Sequence, residues 1–173
     1  CYNLTGITIP DSVTSIGNSA FAGCSNLKKI ICQASVVPSI VSNTFYNVAS
    51  NGSLYYPQGS NYSSWLNTSS YYLGYYNWSG DTLYKPETYY DLEITADDVD
   101  GRATTTIITW RCLSDGIDTL TNEMLTGVEL TGTAISNTFE QNTSETDVIE
   151  RTITFEYQGM TASTVITQGV WIN

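Results

Sequence analysis

The residues best equipped for specific contacts in this chain are aromatic. Positions 55 to 90 hold ten of the thirteen Tyr and two of the four Trp. Tyr and Trp combine a large rigid face with a polar tip at low cost in side-chain entropy. A cluster of this density suits one of two tasks. It can be a platform on which sugar rings or a partner's apolar groups stack, with Tyr71, Tyr72, Tyr75, Tyr76 and Trp78 as the candidate ligand-contacting rings. It can equally be a cap that closes the end of a core. Exposure separates the two: a flat exposed row of rings belongs to a ligand face, and buried rings belong to a cap.

Other chemistry is sparse. The sequence has no His, which removes the usual general base, the Ser-His-Asp and Cys-His arrangements and every zinc site built on imidazole. No pair among the seventeen Asp and Glu is singled out as a glycosidase couple. The run "ADDVDG" gathers Asp97, Asp98 and Asp100 in a loop, where carboxylate oxygens suit calcium. Setting Gly101 at the glycine of a twelve-residue calcium loop puts Ala96 first and Ile107 last, so that motif is incomplete and a solvated turn is the competing reading. Cys1, Cys24, Cys32 and Cys112 show no C-x-x-C spacing. Packing is their default role, with a Cys24–Cys32 disulfide as the alternative in an exported protein. The expectation is a non-enzyme without cofactor.

The elements that would hold these residues belong to a folded, acidic chain. Its 173 residues are 41% hydrophobic and 13% charged, with a net charge of -11. That charge repels phosphates, so nucleic acid is not an expected partner. No run of about 18 apolar residues offers a transmembrane segment. The charge is unevenly spread. Up to Lys85 there are three Lys and two Asp, a net of +1; from Pro86 onward there are three Arg and fifteen acids, a net of -12. Such a shift at a Lys-Pro step marks a domain boundary.

The first part repeats. "CYNLTGITI" at 1–9 and "CSNLKKIIC" at 24–32 align Cys1 with Cys24, Leu4 with Leu27 and Ile7 with Ile30. Ile16 and Phe21 are echoed by Ile40 and Phe45, and "SLYYP" at 53–57 gives a third, weaker strand signal. Each unit carries one alternating strand, a turn and a return, and one such coil cannot bury its own apolar edge. The pattern predicts a solenoid of stacked coils, with Leu4 and Leu27 as neighbours. A stack of so few coils is expected either to follow further repeats upstream or to lean on the second domain.

The string "LTGITIPDSVTSIGNSAFAGCSNLKKI" closely resembles leucine-rich repeats of the Bacteroides surface protein A type, and "VVPSIVSNTFYNV" with "SLYYPQGSNYSSW" resembles a divergent last repeat of that family. The resemblance covers roughly residues 1–80. It implies an extracellular protein of a bacterial cell surface, anchored at the outer membrane or secreted, with a host surface or matrix protein, or a glycan, as partner. "DSV" at 11, "DTL" at 81 and "DTL" at 118 look like short sites at which Bacteroidetes O-glycosylate exported proteins. N-glycosylation sequons such as Asn51-Gly52-Ser53 and Asn77-Trp78-Ser79 carry weight only in a eukaryotic secreted chain.

From about Tyr89, "YDLEITA", "TTTIITWRC", "MLTGVELTG", "RTITFEYQ" and "TASTVITQGVWI" alternate as strands between turn residues. Ile153, Phe155 and Tyr157 share one face; Ile108, Trp110 and Cys112 share another, with Trp110 expected in the core. This pattern predicts a small antiparallel sandwich. Its ending is similar to Bacteroidetes immunoglobulin-like and BACON-type modules, which suggests carbohydrate binding, while Cys112 has no partner for the inter-sheet disulfide of antibody domains. The expected fold is mostly β: a short leucine-rich-repeat solenoid end (1–80), a linker (81–90) and an immunoglobulin-like β-sandwich (91–173). The expected function is non-catalytic recognition or adhesion. The alternatives are a carbohydrate-binding module acting through the aromatic segment and a structural spacer.

Overall fold

The computed structural model describes residues 1–171, which are mostly β with a single 3-10 turn and no helix long and apolar enough to cross a membrane. The chain divides into two compact units. The first comprises Cys1–Lys85 with Asp118–Glu123, and the second Pro86–Ile117 with the chain from Met124 onward.

Short strands recur once per coil in the first unit: β1 (Gly6–Ile9), β2 (Lys29–Cys32), β3 (Ser53–Tyr56) and β4 (Ser79–Thr82). They pair in parallel and in chain order, with Ile7 beside Ile30, Ile30 beside Leu54, and Leu54 beside Gly80. Two inward residues separated by one outward residue are enough to define each strand, because alternate side chains leave opposite faces of the sheet. Leu27, Ile30 and Leu54 are fully buried and Leu4 packs against the same cluster, so equivalent residues of successive coils do share one interior. Each such side chain contributes roughly 1.5–3 kcal/mol by leaving water. The return path stacks as well. Ser15 bridges Ser39 in parallel, the Phe21 N–H donates to the Thr44 carbonyl at 2.9 Å, and the Phe21 and Phe45 rings stack 5.7 Å apart.

The fourth strand, "SGDT", forms without the apolar alternation that marks the other three. Its inward position is Gly80, where a Cβ would come within 2.5 Å of Leu66 Cδ1 and 3.0 Å of the Tyr56 ring. Leu66 and Tyr56 already fill that space, so the usual inward Ile or Leu is excluded. At the other end of the first unit's sequence, the 118–123 turn is held by Thr119, whose N–H donates to the Leu83 carbonyl at 3.1 Å and whose hydroxyl donates to the Thr82 carbonyl at 2.6 Å.

Five longer strands form in the remaining sequence: β5 (Tyr84–Ala96), β6 (Ile107–Asp118), β7 (Met124–Ile135), β8 (Ile149–Tyr157) and β9 (Met160–Gln168). They make a three-stranded sheet, β5-β6-β7, and a two-stranded antiparallel hairpin, β8-β9. The hairpin turns at Gln158-Gly159, both with positive φ, as a two-residue loop compatible with strand twist requires. In the second unit Ile108 of β6 is buried with Ile153 of β8 and Ile166 of β9, and Ile94, Trp110 and Phe155 pack against them. Trp110 is only half-buried, stacked 4.3 Å from Tyr157. Two sheets therefore share this core, with five strands among the described residues where an immunoglobulin constant-type fold has seven.

Residues 81–90, expected as a linker, instead carry the end of β4 and the start of β5. Pro86 did not interrupt the strand because proline is tolerated near a strand's beginning, where its missing N–H need not serve a ladder.

Candidate functional site

The aromatic segment sorts into buried anchors and exposed rings. Tyr62 and Trp65 are fully buried and Trp78 is 6% exposed. All three present a polar tip to the preceding coil: the Tyr62 hydroxyl donates to the Ala34 carbonyl at 2.7 Å, Trp65 Nε1–H to the Pro38 carbonyl at 2.9 Å, and Trp78 Nε1–H to the Ala49 carbonyl at 2.7 Å. These bonds satisfy backbone acceptors that the next coil would otherwise leave buried and unpaired. Trp78, expected among the ligand-contacting rings, is therefore an anchor. Its ring lies over Gly52, where a Cβ would approach to 2.3 Å and no side chain fits.

Tyr76 is half-buried, packs on the core, and its hydroxyl oxygen accepts the Asn47 N–H at 2.7 Å. Tyr72 is half-buried and lines a cavity of about 310 Å³ with Val37, Pro38, Ser39, Ser64 and Asn67. Tyr71 and Tyr75 remain exposed, at 40% and 53%, and are joined by Tyr46 at 49%. The rings meet edge to face: Tyr46 to Tyr71 at 5.0 Å, Tyr71 to Tyr75 at 6.0 Å, and Tyr75 to Tyr76 at 5.0 Å. The result is a stepped aromatic surface rather than a flat row, anchored to the core through Tyr76.

Tyr46 lies outside the 55–90 segment and outside the expected set of rings. Its signal was positional: it occupies the repeat place that Ala22 holds one coil earlier, next to the stacked Phe21 and Phe45. Alanine suffices at this place in the previous coil, whereas the Tyr46 ring stands 49% exposed and is covered only in part, by Tyr71.

Tyr71 also carries a backbone irregularity. Gly23, Asn47 and Tyr71 follow at 24-residue intervals and all have positive φ, of 70°, 57° and 74°. Gly and Asn are the residues that tolerate the left-handed region; a bulky aromatic there costs roughly 1–2 kcal/mol. The stretch that supplies the step is itself uncharged, and the cation placed nearest it by a hydrogen bond is Lys28, which donates to the Ser50 carbonyl. Between Lys29 and Asp81 the sequence contains no Asp, Glu, Lys or Arg, and exposed Asn43, Asn47, Asn51 and Asn77 supply amides instead. Asn77 donates its side-chain amide to the Asn51 side-chain oxygen at 2.6 Å, so these two asparagines are bound to each other.

A second surface is the outer side of the parallel sheet. Register places Thr8, Ile31, Tyr55 and Asp81 side by side, one per strand. Lys29 lies 5.9 Å from the Tyr55 ring centre, and Lys85 pairs with Asp81 at 3.0 Å.

Two carboxylates of the acidic loop are occupied by backbone N–H groups. Asp98 accepts the Thr167 N–H at 2.6 Å, and one Asp100 oxygen accepts the Arg102 and Ala103 N–H groups at 2.8 and 3.0 Å. Asp97 contributes its main-chain carbonyl to the Thr106 hydroxyl. Asp100 thus braces a turn and Asp98 ties the loop to β9, and no three acidic, Cys or His side chains converge on a metal position among the described residues. Cys24 and Cys32 are separate buried thiols, and no disulfide joins them. Of the three Asp-Ser/Thr-apolar sites, Ser12 is exposed, while the hydroxyls of Thr82 and Thr119 donate to the Tyr84 and Thr82 carbonyls.

Comparison with known proteins adds one finding. Residues 1–71 match the family model described as a BspA type leucine-rich repeat region of six copies. No curated protein and no solved structure matches the chain.

Proposed function

We propose that this chain is a non-catalytic recognition module of a surface-exposed or secreted bacterial protein. Its first unit reads as the end of a leucine-rich-repeat array, and its second as an immunoglobulin-like or BACON-type sandwich. The repeat match over residues 1–71 supports the first assignment, together with coils that stack strand on strand in chain order. The second rests on five alternating strands in two sheets around Ile108, Ile153 and Ile166.

The observation that carries the functional reading is the ladder Thr8, Ile31, Tyr55 and Asp81 on the outer side of the parallel sheet. Each added coil extends that surface by one strand, so a solenoid builds a broad contact area from short sequence units. Ile31 and Tyr55 are half-exposed and give an apolar centre, with Lys29 and Asp81 at its margin. An apolar centre with a polar rim is the composition of a protein-binding surface. A host surface or matrix protein is the partner class.

The test is binding of the full chain to purified extracellular-matrix proteins, measured by saturable titration. We expect one of them to bind, and Ile31→Glu or Tyr55→Ala to weaken it at least tenfold while the fold persists. Binding that both variants leave intact would place recognition elsewhere.

A further inference from the structure

We propose that the Tyr46–Tyr71–Tyr75 step is a binding site for a neutral glycan, the rings stacking on the apolar faces of uncharged pyranose sugars. The inference rests on the reading of the chain as a recognition module; it adds a ligand class and a place distinct from the sheet's outer ladder. Three observations on the first unit carry it.

The rings are exposed and mutually fixed. Tyr46 and Tyr71 come from different coils and meet edge to face at 5.0 Å, with Tyr75 continuing the step. A ring whose purpose is to close a core gains nothing from standing half in water, as Trp65 and Trp78 show by being buried. Adjacent rings lie at 72° and 70° to each other. Such steps match the differently tilted faces of successive residues in a flexible or branched oligosaccharide better than a flat ribbon chain.

The surroundings select against charge. The 30–80 stretch that supplies all three rings contains no ionisable acid or base other than Tyr and Cys. Sulfated or uronic glycans and acidic peptides are recognised through clustered Arg and Lys, which this stretch lacks; Lys28, reaching in from the preceding coil, is already bonded to the Ser50 carbonyl. Side-chain amides remain, and they donate to and accept from sugar hydroxyls.

Tyr71 is kept where the backbone disfavours it. The two preceding coils fill the same left-handed position with Gly23 and Asn47. Backbone strain retained at an exposed residue is a mark of a position held for its side chain.

The experiment is affinity electrophoresis of the full chain through gels containing mannan, xyloglucan or a mixed-linkage β-glucan, with heparin and polygalacturonate as charged probes. We expect at least one neutral polysaccharide to retard the protein and neither charged one to do so. In titrations with an oligosaccharide of the retarding polymer, Tyr71→Asn and Tyr75→Ser each weaken binding at least tenfold, and Tyr71→Asn melts at the same or a higher temperature. Tyr46→Ser serves as a further variant should either fail to fold. Retardation by charged polymers alone, by none, or undiminished in the variants overturns the proposal, as does a Tyr71→Asn protein that melts lower. Silence toward glycans combined with matrix-protein binding sensitive to Ile31 and Tyr55 overturns this site and leaves the recognition module standing.

Discussion

Gly132 of β7 lies directly across the ladder from Trp110 of β6, and the indole covers it so closely that a Cβ at position 132 would sit 2.5 Å from Trp110 Cζ2. The absence of a side chain on one strand is what lets the ring on the next lie flat toward Tyr157 and Phe155. Gly132→Ala should therefore displace the indole and cost about 1–3 kcal/mol, the usual penalty for overpacking. Urea denaturation followed by Trp fluorescence measures it. An unchanged midpoint would mean that the ring moves aside freely and that the aromatic stack contributes little.

The caps on the last coil lead to a sharper expectation. Trp65→Phe keeps most of the buried ring but removes the N–H that satisfies the Pro38 carbonyl. An orphaned buried acceptor costs about 1–3 kcal/mol, and Trp65→Ala, which also opens a cavity, about 3–5 kcal/mol. If the phenylalanine variant is as stable as the parent, the carbonyl has found another donor and the capping role of the indole N–H is not needed.

Gln168 plays the corresponding part in the second unit. Fully buried, it accepts Arg151 Nε–H on its side-chain oxygen at 2.8 Å, and its amide donates to the Ala103 and Glu140 carbonyls at 3.0 and 3.1 Å. Gln168→Met preserves volume and removes every one of those bonds. The expected loss is at least about 2 kcal/mol, since more than one buried polar group is left unmatched. Thermal melting of Gln168→Met and Arg151→Met, singly and together, distinguishes a shared network from independent contacts: a network makes the double variant less destabilised than the sum of the singles.

How legible these relationships were in the sequence depended on whether they repeat. Ile7, Ile30, Leu27 and Phe45 sit at recurrent spacings, and their burial followed from the need of each coil to share its apolar edge with the next. The strands of the second unit could be read from two-residue alternation, as with Ile153, Phe155 and Tyr157. Strand β4 could not, because Gly80 replaces the inward apolar residue that a neighbour's side chains make unnecessary. The candidate site was legible in composition but not in membership. Tyr71 and Tyr75 are exposed as a ligand face requires, Trp78 is buried as a cap requires, and no local pattern tells one from the other when both are aromatic. Tyr46 was not legible as a member because its ring partner, Tyr71, is brought to it by coil stacking from 25 residues further along the chain.

Alkaline pH should weaken the first unit through Tyr62. Burial pushes its phenol well above the ordinary tyrosine range, and the neighbouring Cys32 thiol raises it further. In the folded chain the hydroxyl stays protonated and keeps donating to the Ala34 carbonyl; in the unfolded chain it ionises near pH 10. A group whose folded pKa is raised contributes stability that is fully present below about pH 10 and lost as pH rises beyond it, because the unfolded state then holds fewer protons. Tyr62→Phe removes this dependence. The variant loses about 1 kcal/mol at pH 8 with the hydrogen bond, but its urea midpoint falls less steeply between pH 10 and 11.5 than that of the parent. Parallel slopes for the two proteins would show that Tyr62 ionises as readily in the folded coil as in the unfolded chain, and that its hydroxyl is not sealed in the core.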